Sequence, residues 1–159
     1  MAHTNAAGRQ EDGRGLSVLD YDRDGRLDIV MRNYRQPAQV LHNTGAGGHW
    51  LQLKLVGTRS NRDAVGARID LTASPGRGLR QSRRVSLGAG YLSASSLVQH
   101  FGLGEARTVD VSVHWPSGTV TELAGVSADQ RLMLREDRAE AVAVERWLYP
   151  DDPAMAAGG

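Results

Sequence analysis

From Trp50 onward, apolar residues recur at every second position in short runs. In WLQLKLVG, Leu51, Leu53 and Leu55 alternate with Gln52 and Lys54. In GARIDLTAS, Ala67, Ile69 and Leu71 alternate with Arg68 and Asp70, and in TVDVSVHW, Val109, Val111 and Val113 alternate with Asp110, Ser112 and His114. Leu132 and Leu134 continue the pattern in QRLMLRE. A period of two is the signature of a strand with one buried and one wet face. Turn signals separate the runs: Asn61 to Asp63, Pro75-Gly76, Gly88 to Gly90 and Pro116-Ser117-Gly118. Short strands at this spacing predict an all-β, antiparallel sandwich or barrel-like domain. Pro116 suits the second position of a turn, and Gly118 its close, joining strand 109–115 to GTVTEL.

Ahead of this series the pattern is different. Residues 1–14 are polar and Gly-rich and read as disordered. Residues 15–45 hold GLSVL, an Asp-rich loop, LDIVM and QVLHN, which read as two or three short strands around the loop. TGAGG (Thr44 to Gly48) is a flexible joint. A β-unit this small does not bury a core alone, so it reads as a piece of something larger, such as the last blade of a propeller. Residues 137–159 form a tail, Ala- and Glu-rich as far as Leu148, where a short helix is expected.

The loop DYDRDGRLD places Asp20, Asp22, Asp24 and Asp28 within nine residues. Like charges so close destabilise a compact chain unless something offsets them. The aspartates fall at positions 1, 3, 5 and 9 of a calcium loop, with Gly25 at the sharp turn of position 6 and the Arg26 carbonyl at position 7. Alternating hard oxygens suit Ca2+. The EF-hand template fails here, because position 12 is Met31 where a bidentate Glu is required, and strands flank the loop where helices would.

Composition narrows the functional classes. The 159 residues are 40% hydrophobic and 23% charged, with a formal net charge of +1. That balance steers the chain neither to nucleic acid nor to an anionic membrane. The cluster Arg77, Arg80, Arg83 and Arg84 lacks interleaved aromatics and reads as a solvated hairpin. With no cysteine, disulfides, thiolate metal sites and a Cys nucleophile are excluded. No apolar run approaches the roughly 20 residues of a membrane helix, and residues 1–15 hold no secretion signal. The five histidines share no metal-ligand spacing, no Gly-x-Ser-x-Gly elbow is present, and nothing nominates a catalytic residue.

Four further motifs carry a resemblance: GTRSNRDAVGARI (57–69), GAGYLSASS (88–96), HFGLGEA (100–106) and VHWPSG (113–118). Residues 49–136, which contain them, resemble the ASPIC/UnbV domain of the cartilage acidic proteins and of bacterial exported proteins. Residues 15–33 resemble a terminal FG-GAP or VCBS-type repeat. The resemblance implies calcium at Asp20, Asp22, Asp24, Arg26 (by its carbonyl) and Asp28, and an extracellular or envelope setting. It implies no known reaction. The leading expectation is a calcium-binding, non-enzymatic interaction or adhesion module, the C-terminal part of a larger propeller protein, whose partner is a protein or a glycan. An accessory role in an enediyne-type biosynthetic pathway and a carbohydrate-binding module stay open. Asn61 and Asp63, before Gly66, are candidates for a ligand loop or for capping backbone amides. Tyr91 and the neighbouring serines are candidates for a sugar groove or for a tight crossover.

Overall fold

The computed structural model describes residues 3–4, 8, 10–73, 78–88 and 90–144. The first strands are β1 (His3–Thr4), β2 (Gln10–Glu11), β3 (Gly13–Leu19), β4 (Asp28–Asn33) and β5 (Gln39–Leu41). Then come β6 (His49–Val56), β7 (Arg68–Ala73), β8 (Arg80–Arg84) and β9 (Gln99–Gly104). The last are β10 (Thr108–His114), β11 (Val120–Ser127), β12 (Gln130–Arg135) and β13 (Ala141–Ala143). Among the described residues there is no helix.

Two four-stranded sheets, ordered β11-β10-β7-β8 and β13-β12-β6-β9, enclose the core. Both sheets keep open edges, so the fold is a sandwich and not a barrel. The alternating residues named above fill it: Leu51, Leu53, Ile69, Val109, Val113 and Leu134 are all fully buried, as is Phe101 from β9. The antiparallel expectation has one exception. β12 runs parallel to β6, from Gln130 beside Leu51 to Arg135 beside Val56. The predicted hairpin forms, with the Gly118 N–H donating to the Trp115 carbonyl at 3.0 Å.

Some elements differ from expectation. The two glycines of FGLG (101–104) predict a bend, but the segment lies in strand β9. Where described, the anticipated helical tail is instead β13, an edge strand paired with Leu132 to Leu134; residues 145–159 lie outside the described residues. Residues 10–14 are extended, with β2 paired to β1 and β3 beginning at Gly13.

A third sheet, β3-β4-β5, contains the Asp-rich loop as its β3–β4 connection. Its β3 edge is closed by the 93–95 segment. The Ser93 hydroxyl accepts from the Leu16 N–H at 3.2 Å, and the Ser17 hydroxyl donates to the Ala94 carbonyl at 2.7 Å. The small sheet thus rests on the sandwich, and that contact places the loop.

Candidate metal centre at the sheet junction

The loop is built by its own backbone. Tight spacing lets each aspartate accept from a nearby N–H: Gly25 to Asp20 at 3.1 Å, Asp24 to Asp22 at 3.2 Å, and Arg26 to Asp24 at 2.8 Å. Asp28 accepts from Tyr21 at 2.9 Å and Asn43 at 2.8 Å. Those two N–H groups, Asn43 first, hold the Asp28 carboxyl below the usual carboxylate range. Gly25 takes φ +86°, a left-handed conformation that glycine adopts without strain.

Backbone fixes both oxygens of Asp28 but one oxygen each of Asp20, Asp22 and Asp24, and the other oxygen of those three decides the chemistry. Asp22 Oδ2 lies 2.7 Å from His42 Nε2. Asp24 Oδ2 lies against the Arg26 guanidinium. Asp20 Oδ1 is buried and has no hydrogen-bond partner. A buried carboxylate oxygen without a partner is costly and calls for a cation or water. One ligand atom each from Asp20, Asp22 and Asp28 lies within 4.8 Å of the others, and the same holds for Asp22, Asp24 and His42. Oxygens on a shell at calcium's bond length of about 2.3–2.6 Å stand up to about 5 Å apart. The donor set therefore fits a hard divalent ion.

The sandwich supplies the rest of the setting. Asp20 Oδ2 accepts from Gln52 Nε2 at 2.8 Å and from an Arg131 Nη2 at 3.0 Å. The Arg131–Asp20 pair is deep, with side chains 14% and 4% exposed. Arg131 also donates to the Arg23 carbonyl at 2.8 Å and lies 5.0 Å above the Trp50 ring. Gly25 packs on that same indole, and a Cβ there would fall inside it. Gln52, on the polar face of β6, is buried because the loop covers it. Gln52 and Arg131 went unread in the sequence, and His42 was set aside there for want of metal-ligand spacing, although it lies with Asp22 and Asp24. Only Gln52 carries a hint, as a polar residue in a strand of leucines.

The other candidates are placed elsewhere. Asn61 spends its side chain on Val65, donating to the carbonyl and accepting from the N–H, both at 2.8 Å. Asp63 is half-buried, and its charge partly opposes the lowering of the Lys54 pKa by burial. The 57–67 loop has a different organiser, Glu136. Its carboxylate accepts the Thr58, Arg59 and Ser60 N–H groups at 2.8, 2.7 and 2.7 Å, and the Ser60 and Ser117 hydroxyls at 2.7 and 2.5 Å. Burial alone would raise its pKa; the hydrogen bonds from Ser117, Ser60 and Thr58 outweigh that and bring it to about 2.

Tyr91 is 72% exposed, so it is not packed in a crossover; it lines a cavity of about 400 Å³ with Leu16, Met31 and Ser93. On the outer face of β10, Ser112, His114 and Asp70 come together. His114 Nε2 lies 3.3 Å from both Ser112 Oγ and Asp70 Oδ2. A catalytic relay uses opposite ring nitrogens, and Ser112 donates to Glu122 at 2.7 Å. The trio is a surface polar network. None of Arg80, Arg83 and Arg84 on β8 is buried, and Arg77 lies outside the described residues. Among the described residues no helix is long and apolar enough to cross a membrane.

Comparison with known proteins adds the lineage. The family model described as "ASPIC and UnbV" matches residues 57–141, more than half of the chain. The chain belongs to the ASPIC and UnbV family. The match takes in the Glu136-centred loop and most of the sandwich, and the Asp-rich loop lies before it. Cartilage acidic protein 1 of Mus musculus is 33% identical over 132 residues, covering 79% of this chain and 20% of that protein. The Homo sapiens protein is also 33% identical over 132 residues, with 79% and 19% covered. The Xenopus tropicalis protein is 34% identical over 118 residues, with 70% and 18% covered. This ASPIC and UnbV chain thus matches about a fifth of the length of those relatives.

Proposed function

We propose that the 20–28 loop holds one Ca2+ ion and that the chain is a calcium-stabilised, non-enzymatic interaction module working outside the cytoplasm. The buried Asp20 Oδ1 without a partner, inside a ring of carboxylates, carries this reading. Asp20, Asp22, Asp24 and Asp28 would supply carboxylates and Arg26 its carbonyl, in the manner of an FG-GAP or VCBS-type repeat. Bound there, the ion's two positive charges would offset part of the repulsion among four carboxylates and stiffen the β3–β4 connection. Kinship with cartilage acidic protein 1 supports an extracellular or envelope setting; the partner proposed for it is a protein or a glycan.

Calorimetric titration of chelator-stripped protein, with thermal melts at each end, tests the proposal. One ion per chain is expected, with a Kd of about 10⁻⁴–10⁻³ M. At ten times Kd the fold gains about 1.4 kcal/mol. Asp22→Ala and Asp24→Ala abolish the gain, and a variant that still melts higher in calcium by the wild-type margin overturns the assignment.

A sugar groove at Tyr91 is the second reading, favoured by the exposure of that ring. Against it, the Ser93 and Ser95 hydroxyls are engaged with β3. A role beside a biosynthetic pathway has no feature of the fold behind it.

A further inference from the structure

Beside the loop, where it meets the sandwich, lies a cavity of about 670 Å³. That volume is in the range of small-molecule sites. Its walls carry two guanidinium groups, Arg26 and Arg107, three carboxylates, Asp24, Glu105 and Asp129, and the His49 imidazole. His49 is held in place: Nδ1 lies 2.6 Å from Asp129 Oδ2, while Asp129 Oδ1 accepts from the Trp50 N–H at 3.2 Å. A carboxylate only accepts, so Nδ1 carries the hydrogen, and Nε2 is left to hydrogen-bond a ligand hydroxyl. Asp129 is itself fixed at φ +59° in the β11–β12 turn, its N–H bonded to the Trp50 carbonyl at 2.6 Å. Among the described residues, neither Glu105 nor Arg107 makes an ion pair.

The geometry points to a binding site for a sugar acid, its carboxylate against Arg26 and Arg107 and its hydroxyls against His49 and Glu105. Planar guanidinium groups match a carboxylate in shape and charge. A neutral sugar leaves the Arg107 guanidinium without an anion, and a simple carboxylic acid leaves His49 and Glu105 without a hydroxyl. The site is tied to the metal centre through Arg26, whose guanidinium rests on Asp24 Oδ2 and donates to the Asn43 carbonyl at 2.8 Å. A cation on Asp24 removes that competitor and leaves Arg26 to the sugar acid. This coupling rests on the calcium reading; the site itself does not.

The test is calorimetric or NMR titration of the whole chain with glucuronate, with glucose as the neutral control, in calcium and in chelator. Glucuronate binds at least tenfold more tightly than glucose, and Arg107→Ala removes most of that preference without moving the melting temperature. His49→Ala weakens glucuronate several-fold while leaving propionate unaffected. A tetrauronide bound more tightly than the monomer assigns a polymer as the ligand, and equal affinity assigns the free acid. Equal binding of glucuronate and glucose, or none by either in calcium, overturns the site. In protein whose melting temperature rises with calcium, affinity for glucuronate about threefold higher than in chelator supports the coupling, and unchanged affinity overturns it. The melting shift judges the calcium reading by itself, so the two failures are separable.

Discussion

Glu136 is an acid that the fold needs ionised. Its pKa of about 2, against an ordinary 4.5, means that its stabilisation is complete above about pH 4.5 and is lost as the pH falls toward 2. Glu136→Gln keeps the shape but removes the charge that five donors address. It is expected to cost about 2–3 kcal/mol near pH 7. Urea titrations at pH 7 and pH 3 check this: the gap between wild type and variant narrows at the lower pH. Residues of this kind are hard to see in a sequence, because Glu136 and Ser60 lie far apart along the chain. The four aspartates were legible for the opposite reason. The partners of Asp20, Asp22 and Asp24 are backbone amides within a few positions, so spacing alone reports that loop geometry, whereas Asp28 also reaches the Asn43 N–H beyond β5. Asn61 was legible as a capping residue on the same grounds, and Tyr91 was not, since exposure depends on what else folds over it.

At the level of elements, period-two alternation located β6, β7 and β10 because each turns one face to a single core. β8 escaped because it is an edge strand with no buried residue to mark a period. The tail was read as helix from Ala and Glu content, a weak preference that the open edge of β12 overrides by offering backbone partners. The loop between β3 and β4 is an element in its own right, and Gly25 is the point where it touches Trp50. Gly25→Ala demands both a left-handed φ and space that the indole occupies. The expected outcome is a loss of about 2–3 kcal/mol, with the loop lifted from the sandwich. A red shift in tryptophan emission, read with Trp115 and Trp147 replaced by Phe so that Trp50 alone reports, is the measurement, and an unchanged spectrum with unchanged stability contradicts the docking.

On the scale of the whole molecule, the small sheet and the sandwich are held together by a buried ion pair and by hydroxyls along an edge. Arg131→Met removes the cation facing Asp20 while keeping apolar bulk on Trp50. Leaving that carboxylate without its partner is expected to cost about 3 kcal/mol. If the loop takes calcium, added Ca2+ restores more stability to the variant than it gives wild type. Faster proteolysis in the Gly45–Gly48 joint, slowed by calcium, is the readout. The sandwich class was legible from the strand pattern, whereas this docking was not, since Asp20 and Arg131 are 111 positions apart. The parallel pairing of β6 with β12 has a further consequence, for the order of folding. A parallel neighbour needs a crossover connection, and here that crossover contains the whole opposite sheet. In chain order β9 is the first partner of β6 to be made, so folding during synthesis would leave the other edge of β6 open while β10 and β11 follow. Such distant pairing slows folding, and an unpaired leucine-rich edge invites other chains. A chain truncated before β12 is therefore expected to aggregate more readily than the full chain, and light scattering of the two during refolding checks this.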